Sequence, residues 1–433
     1  MDIKGLAVKL TAPVYRRVFN REMSPAEVDF AHSLSWVGSG TFVSTALLSV
    51  FSILGGRLLG PAEYGKFTLI QSIAAFLCVP MLMGLDVAML KYNAEKSDLT
   101  RQRIIVSTAY VIISGLMAVS VGVMLLLAQP LASVFGASPE LFRFSISLAV
   151  LLTIFGLAQT TLRSVNRMRA FALSQPMETG ILLVMFGVFV ALGRLTYQGM
   201  VYSRLTALAV AALIIHFRYT RQYVSFSFDA AWGRALSRFA FAYMPAVISS
   251  VVYGQIGKII VARYMSIADV GIYGAYFVAT MNIAYVFWGI FNKVFLPTAS
   301  RYKDKRPIVR RLNRLAPLIV VVGTPLVMGI GYILLLFYGG GYPFNLWWLA
   351  LFAAASTCFV VRAFYISLST SEGAHGAFLS SVSGVTTALV NLGLCLLLVP
   401  IIGISGAMVA AIAGYAAGLV VILWKGRWHP RGD

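Results

Sequence analysis

Six ionisable side chains stand inside stretches of the chain that are otherwise apolar: Arg143, Arg204, Lys258 and Arg362, against Asp86 and Glu178. Four cations against two acids leave a positive surplus where charge is expensive to place, about 2.5–3.5 kcal/mol for a Lys or Arg at the centre of a bilayer helix. The chemistry open to such a set is recognition of an anion, because a guanidinium grips two phosphate or carboxylate oxygens at once. At ~1.5 Å per residue, Arg204 lies about 10 Å inside the outer end of its stretch and Arg362 about 12 Å from the inner end of its own. These two are the preferred ligand-contacting cations; the alternative is an Arg held by carbonyls or a carboxylate for structural reasons. Arg143 and Lys258 lie only ~6 Å from outer ends by the same rise, so each either snorkels to headgroups or lines a cavity. Glu178 and Asp86 are the candidates for a gate or for ion coupling, with Glu178 at the right depth to pair with Arg362.

Other chemistries find little support. There is no DxD, and His216, His375 and His429 stand alone near the inner ends of apolar stretches, where solvated interfacial histidines account for them. Residues 60–66 match G-x4-G-K, but Phe67 follows where a nucleotide loop needs Ser or Thr, and the segment is a turn between two apolar stretches. Cys78, Cys358 and Cys395 lie in apolar surroundings with no metal-ligand spacing. No catalytic, metal or cofactor site is expected.

The elements that must position these charges are membrane helices. With 59% hydrophobic and 12% charged residues, a chain of 433 residues cannot face water as a globule. At ~20 apolar residues per crossing, the spans fall at 32–59, 64–91, 103–128, 139–163, 170–193, 197–217, 239–262, 271–293, 314–337, 343–370, 376–400 and 403–424. Ahead of them lies an amphipathic segment, 1–31; residues 218–238 join the two sets of six spans, and 425–433 form a tail. Of 35 Lys and Arg, 27 fall on one side of this arrangement, among them Arg301, Lys303, Lys305, Arg306, Arg310, Arg311 and Arg314. That side is expected to be cytoplasmic, with both termini on it. The net charge of +20 is therefore a topology signal, helped by anionic lipid headgroups, and requires no nucleic-acid partner. No outer loop exceeds roughly a dozen residues, so nothing there can house a catalytic domain.

The chain is also written twice. Residues 57–65 read RLLGPAEYG and residues 263–271 read RYMSIADVG, so Arg57, Glu63 and Gly65 share a register with Arg263, Asp269 and Gly271. Gly187 and Gly393 keep the same offset. A period this long means duplicated lobes; with six spans each, both lobes keep one orientation, related by an axis along the membrane normal. A duplicated structural role is expected for the turn, each arginine pairing with or capping near Glu63 or Asp269.

The segments GRLLGPAEYGKFTLIQSIAAF at 56–76, GLDVAMLKYNAE at 84–95 and GISGAMVAA at 403–411 resemble the polysaccharide transporter branch of the superfamily that also holds multidrug exporters and lipid-linked oligosaccharide flippases. The resemblance covers about residues 32–424. It implies an all-α polytopic membrane protein, twelve transmembrane helices in two pseudo-symmetric six-helix lobes around a central cavity, in the cytoplasmic (inner) membrane. It further implies a flippase that moves a polyprenyl-diphosphate-linked oligosaccharide to the outer leaflet by alternating access, working beside polysaccharide polymerase and glycosyltransferases. A cationic cavity suits that cargo, whose diphosphate exposes about two negative charges. An inside-negative potential drives such charges outward by ~2.3 kcal/mol per charge per 100 mV, and H+ or Na+ antiport through Glu178 or Asp86 is the alternative drive.

Two other functions compete. A proton- or sodium-coupled multidrug exporter of the same fold would want an acid deep in a lobe, and none lies near the middle of the first span. A non-transporting subunit of a polysaccharide assembly complex would have little reason to carry cations within its spans. Gln255 and Lys258 share a helix face at i, i+3, and Tyr273, Tyr276 and Thr280 form a stripe that would stack sugars or pack between helices. Prolines 80, 176, 245, 317 and 325 mark places where spans can bend.

Overall fold

The computed structural model describes residues 25–94, 98–225, 227–301, 305–372 and 374–425. Most of the amphipathic segment 1–31 and all but the first residue of the tail 425–433 lie outside these, as do Ser24, Lys303 and His429. The described residues are helical, with no strand among them.

Among the described residues eleven helices are long and apolar enough to cross a membrane, and the first of them accounts for two crossings. This helix, α1 (Pro25–Leu82), carries an apolar stretch of 46 residues, which as one rod would span ~69 Å against a hydrocarbon core of ~30 Å. It breaks at Gly60, whose φ of 75° and ψ of 172° lie outside the helical region and favour a residue without a Cβ. Pro61 then opens the second arm at the position where a missing N–H matters least. The arms fold back on each other: the rings of Phe51 and Phe67 meet edge to face at 5.6 Å, whereas a straight helix would hold them ~24 Å apart. Twelve crossings result, as the apolar lengths predict.

The second arm ends sooner than expected. Met83 and Gly84 take φ of 48° and 82°, so the predicted span 64–91 divides at Leu82 and resumes as α2 (Leu85–Ala94). There follow α3 (Leu99–Leu126), the short α4 (Ala128–Val134), α5 (Pro139–Ser164), α6 (Met168–Ala191) and α7 (Tyr197–Ile215), then one π-helical and one 3-10 turn. The second set is α8 (Ala230–Tyr264), α9 (Ile267–Arg301), α10 (Arg306–Tyr338), α11 (Leu346–Thr370), α12 (Ala374–Ile402) and α13 (Ile404–Lys425).

Side-chain caps define several of these starts. Asp98 accepts from Thr100 and Arg101 amides, Ser138 from Leu141, Thr196 from Gly199, Asp229 from Trp232, and Asn345 from Trp347 and Trp348. Asp229 starts α8 nine residues before the expected span at 239, inside the segment read as a connection. Those early turns belong to the packing of the first lobe. Leu236 and Ala240 are buried in a cluster with Leu85, Met89, Ile105 and Ala109, and Lys91 lies over the Phe239 ring at 4.2 Å. Beyond Pro245 the helix contributes Ile256, Ile259 and Val261 to the main core.

At the other end of the bundle the duplicated turns touch. A Cβ on Gly65 would lie 1.9 Å from the Ile267 carbonyl oxygen, and one on Gly271 would lie 2.0 Å from that of Pro61. Residues 61 and 65 correspond to 267 and 271 under the repeat, so the contact is reciprocal, as a two-fold axis through it requires. Tyr342 adds a hydrogen bond to the Gly56 carbonyl at 3.1 Å, and Tyr64 and Tyr338 pack edge to face. This end is closed by backbone against backbone.

Candidate functional site

Of the four predicted cations, each meets a different environment. Arg143 is exposed in the first turns of α5. Arg204, on α7, makes a 2.6 Å ion pair with Glu178 on α6, with the two side chains only 13% and 3% exposed. Thr179 lies 3.4 Å from the same carboxylate and meets Ser44 of α1 at 2.9 Å. The expected pairing of Glu178 with Arg362 is therefore replaced by one within the first lobe, where α6 and α7 are adjacent antiparallel helices. Arg204 is neutralised where it sits. Asp86 stands in the first turn of α2, where a carboxylate complements the helix N-terminus.

The second lobe holds its cations without acids. No Asp or Glu occurs in any of its six predicted spans. Lys258 donates to the Gln255 carbonyl oxygen at 3.3 Å and lies 4.1 Å from the Phe277 ring centroid, so the i, i+3 pair forms as the spacing predicts. Arg362, on α11, is 2% exposed and ranks first by size among the fully buried side chains. Its guanidinium carbon sits 5.3 Å from the Tyr253 ring centroid, and its Nη2 donates a long hydrogen bond, 3.5 Å, to the Ser383 hydroxyl. Its Nε is buried with no partner. Room for it comes from Gly418, where a Cβ would stand 2.8 Å from that nitrogen. Among the described residues no carboxylate faces it.

Arg362 forms part of the wall of an open cavity of ≈ 520 Å³ bordered by α8, α9 and α11. The lining runs from Tyr253 and Gln255 near mid-membrane to Thr370, the last residue of α11, so the cavity reaches the end of the bundle that carries the basic connections. Its described lining belongs to the second lobe alone. Arg143, Arg204 and Lys258 do not line it. Such a chamber can hold an anion beside a buried guanidinium, where low dielectric strengthens the attraction, with aromatic and amide groups at hand.

The turn residues serve structure, but not in the predicted pairs. Glu63 binds Lys66 at 2.5 Å and accepts from the Tyr197 amide at 3.3 Å. Asp269 accepts from the Ser266 amide and hydroxyl, which in turn caps Asp269, a reciprocal cap on α9. Arg263 donates to the Ser133 and Val134 carbonyls at the end of α4, and Arg57 is exposed. The stripe Tyr273, Tyr276 and Thr280 is buried; Tyr276 donates to the Pro343 carbonyl and accepts from the Asn345 amide, tying α9 to the start of α11. It packs helices and does not face a cavity that could take sugars. Sequence reasoning missed Tyr253, Trp288, Asn292 and Gly418. Only Gly418 left a signal, in the Gly414/Gly418 spacing, which reads as helix packing.

A family model described as a polysaccharide biosynthesis protein matches residues 54–337, the larger part of the chain. No curated protein matches it. Among solved structures, the inward-facing conformation of a multidrug resistance MATE family transporter of the MOP superfamily is similar at TM-score 0.67 and 15% identity, covering 88% of this chain and 93% of that one. Lipid II flippase MurJ in an inward closed conformation is similar at TM-score 0.68 and 12% identity, covering 90% and 86%. An outward-facing MATE family structure is similar at TM-score 0.60 and 14% identity, covering 91% and 94%. At these identities the likeness is one of fold.

Proposed function

The chain belongs to the polysaccharide biosynthesis protein family, and from that premise we propose that it is a flippase. It carries a polyprenyl-diphosphate-linked oligosaccharide from the cytoplasmic to the outer leaflet of the cytoplasmic membrane by alternating access. The observation that carries this reading is Arg362: a buried cation without an acid, in the wall of a chamber that reaches the basic end. A lone buried charge is strongly unfavourable unless something compensates it, and a diphosphate entering the chamber would do so while the prenyl tail stays in lipid.

The excess of Lys and Arg in the connections at that end supports a cytoplasmic location for it and for both termini. The reciprocal Gly65–Gly271 contact closes the opposite end, which supports an inward-facing state, and the likeness to inward structures exceeds that to the outward one. The membrane potential is a sufficient drive, since Glu178 is engaged with Arg204. Glycosyltransferases that build the cargo and a polymerase that consumes it are the partners this role requires.

The test is transfer of a fluorescent prenyl-diphosphate oligosaccharide in proteoliposomes. Arg362→Gln is expected to lower the rate roughly 30-fold or more, the worth of a lost charge-assisted hydrogen bond of ~2–3 kcal/mol. Arg362→Lys should fall between, and Arg143→Gln should match the wild type. Transfer by Arg362→Gln at the wild-type rate would overturn the proposal, and export of a lipophilic cation dye in its place would establish the multidrug reading.

A further inference from the structure

The cavity beside Arg362 is walled in a way that a diphosphate alone does not explain. Tyr253, Tyr285 and Trp288 present aromatic rings, and between them stand the amides of Gln255 and Asn292 and the hydroxyl of Thr370. An ion path would carry carboxylates, and this lining has none; a pocket for an apolar drug has few polar groups, whereas here two amides and three Ser and Thr hydroxyls stand among the aromatic and apolar side chains. Both amides are anchored through their oxygens, Gln255 by Lys258 and Asn292 by the Ser367 hydroxyl. Their N–H groups have no protein partner among the described residues, so two paired donors are left for a ligand. Trp288 and Asn292 stand at i, i+4 on α9 and share a face of that helix.

Rings that can cover the C–H face of a pyranose, next to fixed donors that can meet its hydroxyl oxygens, are the chemistry of carbohydrate recognition. We infer that this second-lobe cavity is a sugar subsite, receiving the first sugar of the cargo against Trp288 with Asn292 and Gln255 on its hydroxyls, beside the diphosphate at Arg362. The inference rests on the function proposed above and deepens it. The carrier then distinguishes a glycosylated prenyl diphosphate from a bare one before moving it.

The experiment is ligand binding to the full chain in lipid nanodiscs. The probes are farnesyl diphosphate and the same lipid bearing a single glucose, galactose or N-acetylglucosamine. At least one sugar should tighten binding to the wild type by about tenfold. Trp288→Ala and Asn292→Ala should abolish that gain while weakening farnesyl diphosphate binding far less than Arg362→Gln does, Trp288→Tyr should keep part of the gain, and Arg362→Gln should weaken every ligand. If no sugar improves on farnesyl diphosphate in the wild type, the subsite is refuted while the flippase reading stands. If Trp288→Ala weakens the bare lipid as much as the glycosylated ones, the subsite is refuted as well. If the wild type binds none of the four, the proposed function fails and takes the subsite with it.

Discussion

Gly65 and Gly271 meet across the pseudo-two-fold axis, each placed where a Cβ would strike the carbonyl oxygen four residues before the other, at 1.9 Å and 2.0 Å. Two helices can approach this closely only where both lack side chains, so the repeated glycine is explained by its own copy. Gly65→Ala and Gly271→Ala are each expected to destabilise the protein by about 1–3 kcal/mol, as overpacking does. The double variant should lose less than the sum, because the first alanine already parts the helices. Thermal unfolding in detergent reads all three.

The Glu178–Arg204 pair predicts a strong asymmetry between single and double variants. Glu178→Gln leaves a mostly buried guanidinium uncompensated and should cost about 3–5 kcal/mol. Glu178→Gln combined with Arg204→Gln should recover most of that loss. A double-mutant cycle on unfolding temperature checks it; simple additivity would mean that the pair is not formed.

Gly418→Ala tests whether Arg362 must occupy its observed place. The added methyl would lie 2.8 Å from Arg362 Nε and 2.1 Å from Thr387 Oγ1, so the guanidinium has to shift although its charge is intact. Transfer of prenyl-diphosphate oligosaccharide should fall toward the level of Arg362→Gln. Gly414→Ala, whose new methyl meets Asn391 and the Thr387 carbonyl, should destabilise the helix pair without selectively impairing the anion step, which binding of farnesyl diphosphate would show.

The duplicated turns are predicted to differ in their arginines. Asp269→Ala removes the carboxylate half of the reciprocal cap on α9, leaving the residue-269 amide on Ser266 Oγ, and should cost about 0.5–1 kcal/mol, with Asp269→Asn retaining part of it. Arg263→Ala frees the Ser133 and Val134 carbonyls and should lower the unfolding temperature measurably. Arg57→Ala, at the matching position and exposed like Arg263 but away from those two carbonyls, should leave it unchanged.

What could be read in the sequence follows from what is local. Apolar length gave twelve crossings, with residues 60–66 read as the turn between the first two, where the backbone breaks at Gly60. The break at Met83–Gly84 escaped because the residues around it stay apolar, and the early start of α8 escaped because its first turns carry Arg234 and Arg238, which read as connection. Those turns are helical because Leu236 and Ala240 pack on the first lobe, a tertiary cause without a local signature.

The charges illustrate the same divide. Depth along each helix singled out Arg362 and Arg204, but rise per residue cannot reveal which neighbour a long side chain reaches. Glu178 thus has Arg204 as its partner instead of Arg362. The aromatic and amide lining of the second-lobe chamber was invisible for a related reason: Trp288, Asn292 and Tyr253 are ordinary membrane-helix residues until three helices bring them together.

A guanidinium embedded in the wall with no carboxylate to balance it gives the vacant chamber one positive charge, and a diphosphate of about two negative charges turns the loaded one into an anion of about one charge. Under the proposed direction of transport, an inside-negative voltage then acts on both strokes, pushing the anionic loaded chamber outward and drawing the unladen, positively charged one back toward the cytoplasm. The cycle would be reset electrically by the protein's own fixed charge, and its speed at saturating cargo would rise with voltage through that step.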